Sequence, residues 1–366
     1  MNIYKGSIAY RELPDEWKKV SKWMALVHIL LIWAAIAGVV FCHDLYQGLP
    51  LYFLTILVLG GLQNNLNSLV HHSIHGNIHP NKYVNNFITR VFVAGPIGQI
   101  FGRLKSEHLS HHANFGDDDD PERFYYDLKL HRRRSKYGLL RWTVCVFLGW
   151  VLYPMVLRLL TGDRSGAAKH GNDSKTKKGR DNPYLDVLAV MGAQGVLFLG
   201  FYLLTNNIWS YVMYWVVPLS TFGAAFTALR ATIEHANIED PDHLLISIKS
   251  NIVEKFFFGP LNFNYHYEHH RFMNIPYYYV PKVRKFLREK EDYNDVLFVD
   301  SYIGRLAYLI RGSKTRAASV CGKAEAGSGD PLGPEPGATD QSHGASLPAP
   351  GLEVCSRRSP GSRMDE

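Results

Sequence analysis

The residues of this chain that could do chemistry are histidines, and they fall into three clusters. Residues 70–76 hold His71 and His75, residues 107–112 hold His108, His111 and His112, and residues 264–271 hold His266, His269 and His270. On a helix, positions i, i+3 and i+4 lie on one face, so each cluster can aim its imidazoles at one point. Eight aligned imidazoles exceed the three protein ligands of a catalytic zinc and the at most six of an octahedral ion; they suit two ions. The four cysteines (Cys42, Cys145, Cys321 and Cys355) include no C-x-x-C pair, which leaves metal ligation to histidine. Such a thiolate-free set is compatible with iron, copper or zinc by ligand type alone. His235, alone in its stretch, is a ninth candidate. His72 and His79 fit no cluster position and are expected beside the ligands or on the surface. The acidic run at residues 117–120 reads as a solvated loop; the alternative is that it orients nearby imidazoles.

The elements that must position these groups read as membrane helices. The chain has 366 residues, 46% of them apolar, with a net charge of +7 and an isoelectric point near 9.0. Its basic residues flank apolar stretches and form no single stripe, which points to a membrane bearing anionic lipid and away from nucleic acid. Spans are expected near residues 24–41, 49–70, 184–204 and 208–230, in two hairpins. The polar residues 1–23 carry Lys5, Arg11, Lys18, Lys19 and Lys22, whereas the connection through His43 and Asp44 has no Lys or Arg. The amino terminus is therefore expected on the cytoplasmic side. His28, inside the first span, is expected to make a polar contact within the bundle.

A helix over residues 49–75 would be about 40 Å long at 1.5 Å per residue, against a hydrocarbon core of about 30 Å. The surplus would lift His71 and His75 clear of the lipid, with Gln63, Asn64, Asn65 and Asn67 marking the exit. A helix over residues 208–235, kinked at Pro218, would deliver His235 the same way. Residues 88–102 are short and broken by Gly95 and Pro96, and suit an interfacial or re-entrant segment. Residues 139–160 read likewise, with breaks at Gly149 and Pro154, because a single crossing would put the basic loop 161–183 outside and separate the clusters. Residues 236–263 read as a cytoplasmic connection. Domain boundaries follow: a membrane domain over 1–311, then a Gly-, Ser- and Pro-rich tail over 312–366, expected to be disordered and to leave His343 without a role.

Ligands at the inner ends of membrane helices imply a lipid-like substrate, whose handles are C–H bonds. Attack on those bonds needs an oxidant, which favours redox-active iron with O₂. At this point the residues resemble the membrane fatty acid desaturases and their hydroxylase relatives, marked by three boxes, H-x3–4-H, H-x2–3-HH and H-x2-HH. His71/His75, His108/His111/His112 and His266/His269/His270 occupy them, and the segment from Glu268 through residues 274–276 to Pro281 looks like that after the family's third box. His235 matches the family's additional histidine.

The resemblance implies an all-α membrane protein of four transmembrane helices, with a cytoplasmic helical cap. It also implies a di-iron centre (two Fe ions) on these nine histidines, O₂ as oxidant, and a lipid acyl chain as substrate. Desaturation is the leading reading and hydroxylation on the same ligand set the alternative. His79, Pro80 and Asn81 stand where a fused cytochrome b5 would carry His-Pro-Gly-Gly, so electrons are expected from a separate donor of ferredoxin or cytochrome b5 type. Some acyl-CoA members carry an asparagine four residues before the extra histidine, holding a water on one iron; here that position is Ala231. A non-enzymatic metal carrier would place ligands within its spans, and these lie beyond the helix ends.

Overall fold

The computed structural model describes residues 6–123, 136–150, 183–235, 245–293, 296–311 and 352–354. In chain order its long elements are α1 (Met24–Tyr46), α2 (Leu49–Ile74), α3 (Lys82–Ile88), α4 (Phe101–Ala113), α5 (Lys136–Phe147), α6 (Pro183–Thr205) and α7 (Ala224–His235). The cap follows with β1 (Ile246–Ile248), α8 (Ile252–Phe257), α9 (His266–Arg271), α10 (Val280–Glu289), β2 (Leu297–Val299), α11 (Tyr302–Arg311) and β3 (Leu352–Val354).

Among the described residues four helices are long and apolar enough to cross a membrane: Met24–Tyr46, Leu49–Ile74, Pro183–Thr205 and Val212–His235. α1 and α2 run past their expected ends at residues 41 and 70. Hydropathy marks only the apolar part of a helix, whereas the backbone ladder continues into polar sequence for as long as its hydrogen bonds are met. α2 starts after Gly48, at φ 106°, with Pro50 in its first turn, where proline's missing N–H costs nothing. The last span begins at Val212, four residues later than expected. It passes Pro218 through two π-helical turns, Val212–Val216 and Leu219–Gly223, before α7. Proline removes one ladder bond, and wider turns absorb the register change.

α2 is the central element of the bundle. α1 packs on it from one side, and the π-helical turns of the last span and α7 from another. Gly60 permits this: a Cβ there would meet the Phe222 side chain and lie 2.9 Å from the Gly223 nitrogen. Side chains expected to mark the membrane exit instead stitch the helices together. Gln63 donates to the Trp215 carbonyl at 3.0 Å and Asn64 to that of Phe257 at 2.7 Å. Asn67 joins Thr227 and Gln99 in one polar ladder. Satisfied polar groups of this kind hold membrane helices in register where burial of apolar area supplies no driving force. His28 bonds the Tyr277 hydroxyl at 2.6 Å, a polar contact inside the bundle as expected.

Of the two short apolar stretches, the first bends and the second is described only to residue 150. α3 passes into a π-helical turn, Thr89–Ala94, and the chain then turns at residues 95–98 before α4. α5 runs beside the last span, its Phe147 on Phe222 and Phe226, and stops at Gly149 with φ 80° beside the Ser220 carbonyl. Pro154, the basic loop 161–183 and His243 lie outside the described residues. Within the connection expected over 236–263, α8 lies against α2, its Phe256 facing Gly61, with Ile252 84% exposed.

The all-α expectation needs correction in the cap. β1 pairs parallel to β2, and β2 antiparallel to β3, in a three-stranded sheet. Three-residue strands are too short to announce themselves by alternation. β3 lies within the expected tail; 312–351 and 355–366, with His343, lie outside the described residues. The sheet matters because it carries the third histidine cluster: the Ile248 N–H bonds the Asn264 carbonyl at 2.9 Å, and the Asn264 amide bonds the Ile248 carbonyl at 2.6 Å. From the other side the amino-terminal segment clasps the same helix. Arg271 donates to the Ile8 carbonyl and to Asp292, while Asp292 accepts from Ser7 and Ile8.

The close approach at Gly60 yields a test. Gly60→Leu should lower the thermal unfolding midpoint in detergent by several degrees, because overpacking a tight contact costs about 1–3 kcal/mol. Gly38→Leu, where an added Cβ meets nothing within 4 Å, should leave it unchanged.

Candidate metal centre

The nine candidate histidines come together. His71, His75, His108, His112 and His269 each offer a ring nitrogen, all within 4.8 Å of one another; His111, His235 and His270 form a second such group. His266 joins the second, its Nε2 standing 2.9 Å from that of His235. The residues arrive from four elements. α2 brings His71 and caps with His75, α4 brings three, α7 ends on His235, and α9 brings three. Every adjacent pair in a cluster divides between the groups: His111 from His112, and His269 from His270. Helical neighbours point about 100° apart, so one short helix serves two points.

Ring nitrogens face each other at close range. His71 Nε2 and His269 Nε2 are 2.7 Å apart, His112 Nε2 and His108 Nε2 2.9 Å, and His108 Nε2 and His75 Nε2 3.1 Å. His108 turns its Nδ1 to Glu122 Oε1 at 2.7 Å, and His111 turns its Nδ1 to both oxygens of Asp120 at 2.9 Å. A carboxylate accepts, so these Nδ1 atoms carry the proton and the Nε2 atoms present lone pairs inward. Both ring nitrogens of His270 are buried with no hydrogen-bond partner. Converging lone pairs repel unless a cation lies among them, and this donor set fits two metal ions.

Electrostatics keep these rings in the ligating form. Burial, then the neighbouring imidazoles, hold His266, His269 and His270 well below the ordinary histidine value. Burial and His108 push His112 down to about 2. His111 moves the other way: burial pulls it down, but the charges of Glu122 and Asp120 outweigh that and raise it.

The groups behind the ligands were mostly invisible in the sequence. Asp117, Asp118 and Asp119 are exposed, as expected of a solvated loop, but Asp120 is buried on His111 and also accepts from the Gly116 and Glu122 N–H groups. Glu234, fully buried, lies 3.3 Å from His266 Nδ1 and is held by the Tyr302 hydroxyl at 2.6 Å. Glu268 is held by Ser247, Tyr293 and Arg284. Its place between ligands in the third cluster was one available signal, and the alternative reading of the acidic run at 117–120 was the other. Phe263 lies against His71 at 4.2 Å between ring centres, with the Arg230 guanidinium 3.6 Å from its other side. His72 is buried, stacked on Tyr277 at 4.7 Å, and belongs to neither group. His79 is exposed and accepts from the Asn81 N–H. An apolar cavity of about 760 Å³ between α1, the turn after α3 and α6 is lined by residues such as Trp33, Phe92, Gly192 and Leu197 and by no histidine.

These directions fix a pH dependence for metal-free protein. His112, His266, His269 and His270 take up protons only on unfolding once pH falls below about 6.5, and among these imidazoles His111 acts in the opposite sense. Stability should therefore be full above that value and should fall by about 1.4 kcal/mol per pH unit for each such histidine below it. Unfolding midpoints of metal-free protein between pH 8 and 5 check this. Metal-loaded protein should show a shallower fall until the metal itself is displaced.

The family model described as fatty acid desaturase matches residues 47–302. Among curated protein sequences none matches the chain. The matched range contains all four elements of the arrangement described above, the three histidine clusters and His235. The chain is an oxidoreductase-type membrane protein and belongs to the fatty acid desaturase family.

Proposed function

We propose that this protein is a membrane-bound, O₂-dependent acyl-chain desaturase whose centre is two iron ions. In this reading His71, His75, His108, His112 and His269 hold one ion, and His111, His235, His266 and His270 the other. The observation that carries it is the convergence of nine ring nitrogens on two points at the ends of apolar spans. Bound iron would supply the power to activate O₂ and remove hydrogen from an unactivated methylene, with two electrons from a separate donor protein of ferredoxin or cytochrome b5 type.

The chain's own residues do the positioning. Asp120 and Glu122 hold the Nδ1 protons of His111 and His108, so that each Nε2 faces inward. Glu234 and Tyr302 fix the back of His266. Phe263 gives the centre an apolar wall against His71, His266 and His269, which keeps water away from one side. The arrangement of four spans as two hairpins, with the cap and both termini on the cytoplasmic side, belongs to the same proposal. It is supported by the Lys/Arg asymmetry of the sequence. So does the division into a membrane domain over 1–311 and a separate tail.

Metal analysis of protein protected from competing zinc should find two irons per chain; a single ion would sink the reading. His235→Ala should abolish activity and lower iron content while expression persists, whereas His79→Ala and His243→Ala should be near neutral. Equal iron and activity in all three would remove His235 from the site.

Lipid profiles of a host lacking the activity distinguish the chemistry. Expression should yield acyl chains short of two hydrogens. Products that gain one oxygen atom would instead assign hydroxylation, which the same ligand set allows.

A further inference from the structure

The two histidine groups are unequal. The first offers five imidazoles and the second four, counting His266. Ala231, one turn before His235, brings no donor to the second. One carboxylate stands between the two groups. Glu122 Oε1 accepts from His108 Nδ1 at 2.7 Å, while Oε2 points the other way and lies 4.0 Å from His111 Nε2. His111 Nδ1 is already committed to Asp120, so its Nε2 presents a lone pair toward that oxygen. Two donors on one first-row ion, each at about 2.0–2.2 Å, stand at most about 4.4 Å apart. The spacing of Glu122 Oε2 and His111 Nε2 therefore suits two ligands of one ion, and is too long for a hydrogen bond. Asp120 anchors the backbone there by accepting from the Glu122 N–H at 2.9 Å. The side chain is 28% exposed, so the carboxylate can swing the remaining distance.

We infer that Glu122 Oε2 is a tenth ligand, completing the four-histidine site, while Oε1 steadies His108 of the five-histidine site. One carboxylate would thus tie the two ions together. It would also make them inequivalent, because only the second site would carry an anionic ligand and a correspondingly lower net charge. This rests on the two-iron reading above. The rival account makes Glu122 a hydrogen-bond acceptor for His108 and an ion-pair partner for His111, with no bond to metal.

Mössbauer spectra of ⁵⁷Fe-loaded protein separate the two. Wild type should bind two irons and give two distinct doublets, assigned by their loss in His75→Ala (five-histidine site) and His235→Ala (four-histidine site). Glu122→Gln keeps an oxygen acceptor for His108 Nδ1 but loses the charge. It should shift or remove the four-histidine doublet and leave the other in place, with iron falling toward about one per chain if affinity drops on the order of 10–100-fold or more. Asp120→Asn, which alters the partner of His111 and of the Glu122 N–H but none of the inferred ligands, should perturb that doublet less than Glu122→Gln does. Two irons with Glu122→Gln spectra unchanged, or altered only in the five-histidine doublet, would overturn the inference while leaving the two-iron reading intact. Indistinguishable doublets in wild type would overturn it as well, whether or not the variant folds. Wild type holding other than two irons would overturn the two-iron reading, and this inference with it.

Discussion

Lone pairs of nine imidazoles are pointed at two small regions, with several facing nitrogens 2.7–3.1 Å apart. Such an arrangement is self-repelling, and protonation would relieve it only by placing charge in a buried space. The rings must stay neutral, oriented and close, and nothing within the clusters makes them do so. Much of the rest of the molecule is a consequence: rigid helices to bring the rings in, carboxylates to fix their tautomers, and packing to keep water out. A bound metal converts the repulsion into attraction, which is why folding and metal binding should be coupled in this protein.

Delivery is shared between the spans and the cap. α2 and α7 bring His71 and His235 as continuations of apolar helices, whose register is set by Gly60 against Phe222 and by the ladder of Gln99, Asn67, Thr227 and Asn64. α9 is only six residues long, too short to hold itself. It is held instead by β1 through Asn264, by Ser247, Arg284 and Tyr293 on Glu268, and by the amino-terminal clasp on Arg271. A ligand helix that contributes to both groups is thus fixed from several directions. The amino terminus, remote in sequence, is part of the site's support.

Carboxylates distinguish the two groups. Asp120 and Glu234 stand behind ligands of the second, while Glu122 reaches both. Each is held by donors of its own, so that a charge near the centre is compensated where it sits. An apolar cavity lies elsewhere, between α1 and α6, where loose packing against small residues such as Gly192 carries no histidine.

Spacing at i, i+3 and i+4 determined that each cluster would present its histidines together, and hydropathy over some twenty residues determined four long helices. Both are local and periodic, and both were legible from the residues alone. The expectation that helices longer than the lipid core would carry His71 and His235 beyond it follows from helical rise and needs no tertiary knowledge. Which histidine serves which group was decided only by folding, because adjacent ligands on α4 and α9 diverge toward different points. So were the roles of Asp120, Glu122, Glu234 and Phe263: each lies outside the one-face spacing, and its partner is fixed by how loops and helices pack. The small sheet escaped detection for the same reason. Strands of three residues, paired across some fifty positions, leave no periodic trace in sequence, yet they hold the third cluster in place.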